Sequence, residues 1–163
     1  PSKLKIYLTD FSFGMAKEAS SKRLPENRFR FMNCDAGAIS FQSAYFDIVI
    51  ANHMLYHVPD LQLTLNEIYR VLKPGGRLFA ATNGQYHMHE IHQLVKAIAP
   101  DLMEKNHVSQ NFSLENGTAR MKQHFSEVDC VIYPDSLLIT EEKPLSSRGI
   151  HSNKKCTSEI FWD

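Results

Sequence analysis

Phe46–Gly76 reads FDIVIANHMLYHVPDLQLTLNEIYRVLKPGG, and it decides the fold. Phe46, Ile48, Val49, Ile50 and Ala51 form an almost continuous apolar run, the pattern of a parallel strand covered on both faces. Polar Asn52 and His53 close the run, and Tyr56, His57 and Val58-Pro59-Asp60 make an elbow. Asp60 caps the helix that follows, whose Leu61, Leu65, Ile68 and Leu72 recur at helical spacing. Lys73 suits the negative end of that helix, and Pro74 and Gly75 are expected to stop it.

Outward from this centre, strands and helices alternate. Leu4–Thr9 alternates as a strand, Gly14–Ser21 is helix-prone, and Arg28–Asn33 alternates again through Phe29 and Phe31. Leu78–Ala81 reads as a short buried strand. Met88, Ile91, Val95 and Ile98 mark a helix closed by Pro100. A helix near Thr118–His124 and strands at Val128–Tyr133 and Ser136–Thr140 follow with weaker patterning. Such alternation predicts an α/β fold with a mostly parallel sheet and flanking helices.

The bulk composition narrows the function classes. With 163 residues, 43% of them hydrophobic, the chain is most simply one domain with one core. Its 18 basic and 18 acidic residues give a formal net charge of +0, so no global field draws it to nucleic acid. Cys34, Cys130 and Cys156 are widely spaced and unpaired in pattern, which suits reduced thiols. No apolar run approaches the roughly 20 residues that span a bilayer. A soluble, cytoplasmic setting without membrane or nucleic-acid partners is the expectation.

Ligands of open α/β sheets bind beyond the carboxyl ends of the strands, which singles out four places. Asp10 ends the first strand, within Asp10-Phe11-Ser12-Phe13-Gly14-Met15, where a carboxylate can accept both hydroxyls of a ribose. On spacing alone a helix-capping or turn aspartate is an equal reading. Asp35 and Ala36 follow the next strand, and an Asx turn there is the commoner fate of a single Asp. Asn52 and His53 end the central strand ahead of Tyr56 and His57. An imidazole there can orient an acceptor or take its proton, although packing at the start of the helix is the plainer role for His57. Asn83, with Tyr86 and His87, follows the Leu78–Ala81 strand. The eight histidines include His89 and His92 at helical i, i+3 spacing. With no HExxH, no paired Cys and no carboxylate constellation, a metal site is not expected.

Phe46-Asp47 with Asn52, then His57-Val58-Pro59-Asp60, then Arg70-Val71-Leu72-Lys73-Pro74-Gly75-Gly76, closely resembles class I S-adenosylmethionine (SAM)-dependent methyltransferases of the type 11-like group. The D-x-S-x-x-M string at Asp10–Met15 and the Asp35-Ala36 pair fall in the same order. The resemblance implies a Rossmann-like sheet over 1–145, incomplete at the N-terminus, and a polar tail over 146–163 without a family match. It implies SAM as cofactor, with S-adenosylhomocysteine as product. Asp10 would bind the ribose, with Phe11 beside the adenine and Ser12 and Met15 also in the cofactor site. Asp35 and Ala36 would read the adenine edge, and Asn52 and His53 would line the methionine part.

By the same resemblance, Tyr56 and His57 would stand on the acceptor side, and Asn83, Tyr86 and His87 would form part of the acceptor wall. The acceptor is expected to be a small molecule. None of the seven glycines forms the GxG turn that the family places before its first helix. A fragment of a longer polypeptide is the favoured explanation. An oligomer or partner chain completing the sheet, or a catalytically degenerate domain serving as a binding subunit, are the alternatives.

Overall fold

The computed structural model describes residues 4–22, 28–99, 111–133 and 159–161. In chain order these form β1 (Ile6–Asp10), α1 (Phe13–Ser21), β2 (Phe29–Asn33), β3 (Phe46–Asn52), α2 (Leu61–Val71), β4 (Leu72–Ala81), α3 (His89–Ile98), α4 (Leu114–Met121) and β5 (Glu159–Phe161). Strands β1 and β2 make one sheet; a second has the order β3-β4-β5. The chain divides into two compact units. One comprises Pro1–Asp47 with Val58–Gly76, the other Ile48–His57 with Arg77–Asp163.

In the first unit β1 and β2 run parallel, from Ile6 opposite Phe29 to Asp10 opposite Asn33. Helix α1 is the crossover between them; Ser12 caps it by accepting from Met15 N, and it buries Ala16. Helix α2 begins where expected, because the Asp60 side chain accepts from Leu63 N at 2.9 Å. Its inner stripe is Leu65, Ile68 and Val71, all nearly inaccessible to solvent. At roughly 25 cal/mol per Å² of apolar surface, that stripe outweighs the helix's modest intrinsic propensity.

The end of α2 differs from the sequence expectation. The helix stops at Val71, and Leu72 already has extended backbone angles and opens β4. Lys73 therefore does not serve the helix dipole; its ammonium pairs with Asp47 Oδ1 at 2.7 Å. Gly75 carries a φ of +75°, which glycine adopts without steric cost. A Cβ on Gly76 would stand 2.9 Å from Lys73 O and 3.1 Å from Asp47 O, so only glycine lets the strands approach there. The Pro-Gly-Gly string is thus a close-packed strand opening rather than a helix stop.

Four rings, Tyr7, Phe41, Tyr45 and Phe46, pack mostly edge to face, with centroids 4.8–6.0 Å apart. The Tyr7 and Tyr45 hydroxyls share a 2.9 Å hydrogen bond, which is the main influence raising the Tyr45 pKa. Arg70 fixes the loop that carries Phe41. Its Nη1 donates to Phe41 O at 2.7 Å and its Nη2 to Ile39 O at 2.8 Å. Glu67 holds the guanidinium from the other side and accepts from Ile39 N.

In the second unit Leu55, Leu78, Ala80, Ala81, Phe112 and Met121 form the core. Tyr45 N donates to Val71 O and His53 N to Ala81 O, so β3 and β4 advance in the same direction. Strand β5 pairs antiparallel with β4, with Phe161 opposite Phe79. Strand β3 is not covered on both faces as its composition suggests. Ile48 and Ile50, on one face by the period of two, are 52% and 65% exposed, because no described element covers that face.

Helix α4 starts four residues earlier than its apolar pattern indicates. Ser113 N donates to Asn116 Oδ1 at 2.8 Å, and that polar cap starts the helix at Leu114. Val128–Tyr133, expected as a strand, pairs with no strand among the described residues. Pro100 and Ser136–Thr140 lie outside them. Among the described residues no helix is long and apolar enough to cross a membrane.

Candidate functional site

Parallel pairing places Asp10 and Asn33 side by side at the carboxyl ends of β1 and β2, so the loops bearing Asp10 and Asp35 emerge together. Asp10 Oδ1 accepts from Ser12 N at 2.7 Å, and Asp35 Oδ1 accepts from Gly37 N at 2.8 Å. Both are tight Asx turns. Each turn uses one carboxylate oxygen and leaves the other without a protein partner among the described residues. The turn role and a ligand role are therefore compatible. Phe11 and Met15 beside them are 79% and 56% exposed, an arrangement that costs apolar burial unless a ligand covers it. Ala36 is half-buried in the second turn.

Asn33 organises this corner, a role that its position as the last strand residue did not reveal. Its Nδ2 donates to Asp10 O at 2.9 Å and to Phe11 O at 2.6 Å. Cys34 N also donates to Asp10 O. The amide thereby fixes the backbone on which the Asp10 carboxylate and the Phe11 ring are carried. The Glu67–Arg70 pair steadies the loop after Asp35 in the same way, through Ile39 and Phe41. Neither anchor carries a motif.

The second unit holds the other chosen residues. Asn52 ends β3, and His53 turns the chain with a φ of +48°, its N–H donating to Ala81 O at 2.9 Å. A tight turn from Met54 to His57 follows, pinned by the fully buried Leu55. The Tyr56 ring lies 4.4 Å from that of His57 and 6.4 Å from that of His53, centroid to centroid. Burial raises the Tyr56 pKa, so the phenol stays protonated and can donate.

Asn83 is held by its carbonyl, which accepts from Leu114 N. Tyr86 is 74% exposed and meets His89 edge to face at 5.8 Å. His87 is surface-exposed, yet partial desolvation of its ring, and then the charges of His53 and His92, hold its pKa below the usual histidine range. At neutral pH it is an uncharged base. His89 bonds Gln93 at 2.8 Å, and no described group of His, Cys, Asp or Glu is arranged to hold a metal ion.

Burial likewise lowers the pKa of His124. A histidine depressed in the folded state lets the unfolded chain bind protons first. The stability it contributes is complete above an unfolded value of about 6.5 and declines as pH falls towards the folded value. The thermal midpoint is expected to be lower at pH 5.5 than at 7.5, with His87→Asn flattening part of the difference. Paired thermal melts measure this; equal midpoints for the unsubstituted protein would contradict it.

The family model for a methyltransferase domain matches residues 2–80. That stretch, just under half of the chain, is similar to the family. Among curated proteins, a demethylmenaquinone methyltransferase of Lactococcus lactis is 38% identical over 76 residues, covering 45% of this chain and 30% of that protein. The ubiquinone/menaquinone biosynthesis C-methyltransferase UbiE of Desulfotalea psychrophila is 41% identical over 68 residues, 42% of this chain and 27% of that one. The chain thus spans less than half the length of these relatives.

The crystal structure of the trans-methyltransferase CalH in complex with S-adenosylhomocysteine superposes with a TM-score of 0.56 at 19% identity, over 74% of this chain and 35% of CalH. At that identity the likeness speaks for the fold, which is Rossmann-like with an incomplete sheet. The stretch matched by the family model includes both acidic turns, β3, the elbow, α2 and nearly all of β4.

Proposed function

We propose that this chain provides the SAM-binding part of a methyltransferase whose acceptor is a small ring compound of the quinol type. The observation that carries the reading is the pair of strand-end carboxylates, Asp10 and Asp35, each with one oxygen held by its own turn and the other open. Asp10 accepts the ribose hydroxyls, with Phe11, Ser12 and Met15 around the adenosine. Asp35 accepts the adenine amine, and the Ala36 N–H meets a ring nitrogen. Asn52 and His53 serve the methionine part. SAM, when bound, supplies a methyl group on a sulfonium, a good leaving group.

The protein's share of catalysis is then mainly orientation. Tyr56 donates a hydrogen bond on the acceptor side, and the His57 ring packs against it at a tilt of 51°. A quinol carbon attacks better once its hydroxyl has lost a proton, which an imidazole on the acceptor side, His57 or His87, is suited to accept. Asn83 and Tyr86 line the same acceptor side. The relatives' names, which specify demethylmenaquinone and ubiquinone/menaquinone C-methylation, support a ring acceptor.

Methyl-labelled SAM incubated with the protein and a demethylated naphthoquinol is the test. Label in the naphthoquinol is the expected result. SAM binding without any transfer to that probe would reject the acceptor class. A second reading is a non-catalytic domain that pairs with another chain, and the exposed Ile48 and Ile50 favour it. Light scattering separates the two, because a monomer that binds SAM counts against the pairing role.

A further inference from the structure

The turn bearing Tyr86 and His87 is tied to one short segment at three points. Thr82 Oγ1, fully buried, donates to Phe112 O at 3.0 Å. Leu114 N donates to Asn83 O at 3.2 Å. Gln85 N then meets both carboxylate oxygens of Glu115, at 3.1 and 3.0 Å. The order of attachment follows the chain on both sides, so residues 82–85 lie along 112–115 like a docked strap. The next residue, Tyr86, is largely exposed, and the His87 N–H closes the turn back onto Gly84 O at 3.0 Å.

The last attachment differs in kind from the other two. Its acceptor is a charged side chain reaching a single turn amide, and a charge-assisted bond is about twice as strong as a neutral one. Glu115 lies in the first turn of α4, where the helix dipole favours an anion. That helix is itself anchored by Phe112 and Met121, both fully buried. Gly84 is fitted to the carboxylate: a Cβ there would stand 3.2 Å from Glu115 Oε1. The stretch between Asn83 and His89 also has internal turn bonds of its own, His87 N to Gly84 O and His89 N to Tyr86 O.

We infer that Glu115 is a positioning residue, whose carboxylate holds the Gln85–His87 turn and thereby sets the place of the His87 imidazole. The inference rests on the acceptor-side reading of Tyr86 and His87 for its functional meaning, but not for its geometry. Glu115 touches no reacting group; it acts through Gln85 N. Glutamine at 115 keeps an oxygen that can accept from that N–H, whereas alanine keeps none.

The decisive experiment follows the His87 ring and the Gln85 amide by NMR in Glu115→Ala and Glu115→Gln. In E115A the His87 titration midpoint is expected to rise towards the ordinary value of about 6.5, as the ring leaves its partly desolvated place near His53 and His92. Exchange of the Gln85 amide is expected to quicken about tenfold, as for a turn that has lost its anchor. E115Q should restore most of both signals. A general loosening of α4 would not be rescued in this way, nor would it be confined to these two probes.

Unchanged His87 and Gln85 signals in E115A overturn the inference, and so does E115Q behaving like E115A. If E115A fails to fold, Glu115→Asp, which withdraws the carboxylate by one methylene, reads the same two signals with the same criteria. S-adenosylhomocysteine titrated into the unsubstituted protein keeps the two ideas apart. Absence of binding there counts against the methyltransferase reading alone, while the NMR signals decide the role of Glu115 in either case.

Discussion

Phe112→Ala is expected to destabilise the second unit by about 3–5 kcal/mol, the usual cost of emptying a buried aromatic site. The ring is fully inaccessible to solvent. It is also gripped from the helix side, since a Cβ on Gly117 would stand only 3.2 Å from Phe112 Cζ. Collapse of helix α4 into the vacated space is resisted by the Asn116 cap and by Met121, so most of the cavity persists. For a chain of this size about 1 kcal/mol moves the thermal midpoint by roughly 2–4 °C, which gives a fall of roughly 6–20 °C. Phe13→Ala, at a position 69% exposed, is the control and is expected to change stability by less than about 0.5 kcal/mol. Thermal melts followed by circular dichroism report both. A loss from Phe112→Ala no larger than that of the Phe13 control would contradict this packing.

The second large effect concerns Asp10. Replacing it with alanine removes the charged acceptor offered to the ribose hydroxyls, and hydrogen bonds to charged groups contribute about 1.5–3 kcal/mol each. A loss of about 2–4 kcal/mol in SAM binding corresponds to roughly 30- to 1,000-fold in affinity. Alanine also frees Ser12 N, whose bond to Oδ1 shapes the turn. Asp10→Asn separates the two contributions, because its amide oxygen can still accept from Ser12 N while the charge is gone. The expected order of affinity is wild type, then D10N, then D10A. Calorimetric titration with SAM measures it, and D10A binding as tightly as wild type would remove Asp10 from the site.

Much of this arrangement is legible in the residues themselves. The centre, β3 to β4, is readable because three independent signals agree there: an apolar run, a capped 3.6-residue stripe and a glycine pair. The place of the strand-end aspartates is readable for a different reason, namely that parallel topology brings the loops after β1 and β2 out at one edge of the sheet. Both of the ordinary roles considered for them are realised, since Asp10 and Asp35 do make turns. Turn formation occupies only one oxygen of each, so it does not compete with binding.

What escaped the sequence is tertiary in origin. Asn33 and Arg70 act by reaching backbone carbonyls on other segments, 23 and 31 residues away for two of those bonds, and no local pattern encodes such a partner. Lys73 satisfies the rule for a helix end yet pairs with Asp47, because the helix has already ended at Val71. Ile48 and Ile50 show the limit of reading burial from composition: an apolar run records what a strand can be covered by, and no described element covers that face. Residues 111–116 carry no motif, yet through Phe112 and Glu115 they support the turn that carries His87.

If the two acidic turns at the ends of β1 and β2 form the adenosine-binding part of a methyltransferase, isothermal titration of the unsubstituted protein with S-adenosylhomocysteine gives saturable heat with one ligand per chain. That heat is expected to be lost in a D10A/D35A double substitution that retains the wild-type circular dichroism spectrum. Absence of heat at high protein and ligand concentration, or equal binding by the double variant, would contradict that adenosine-binding role.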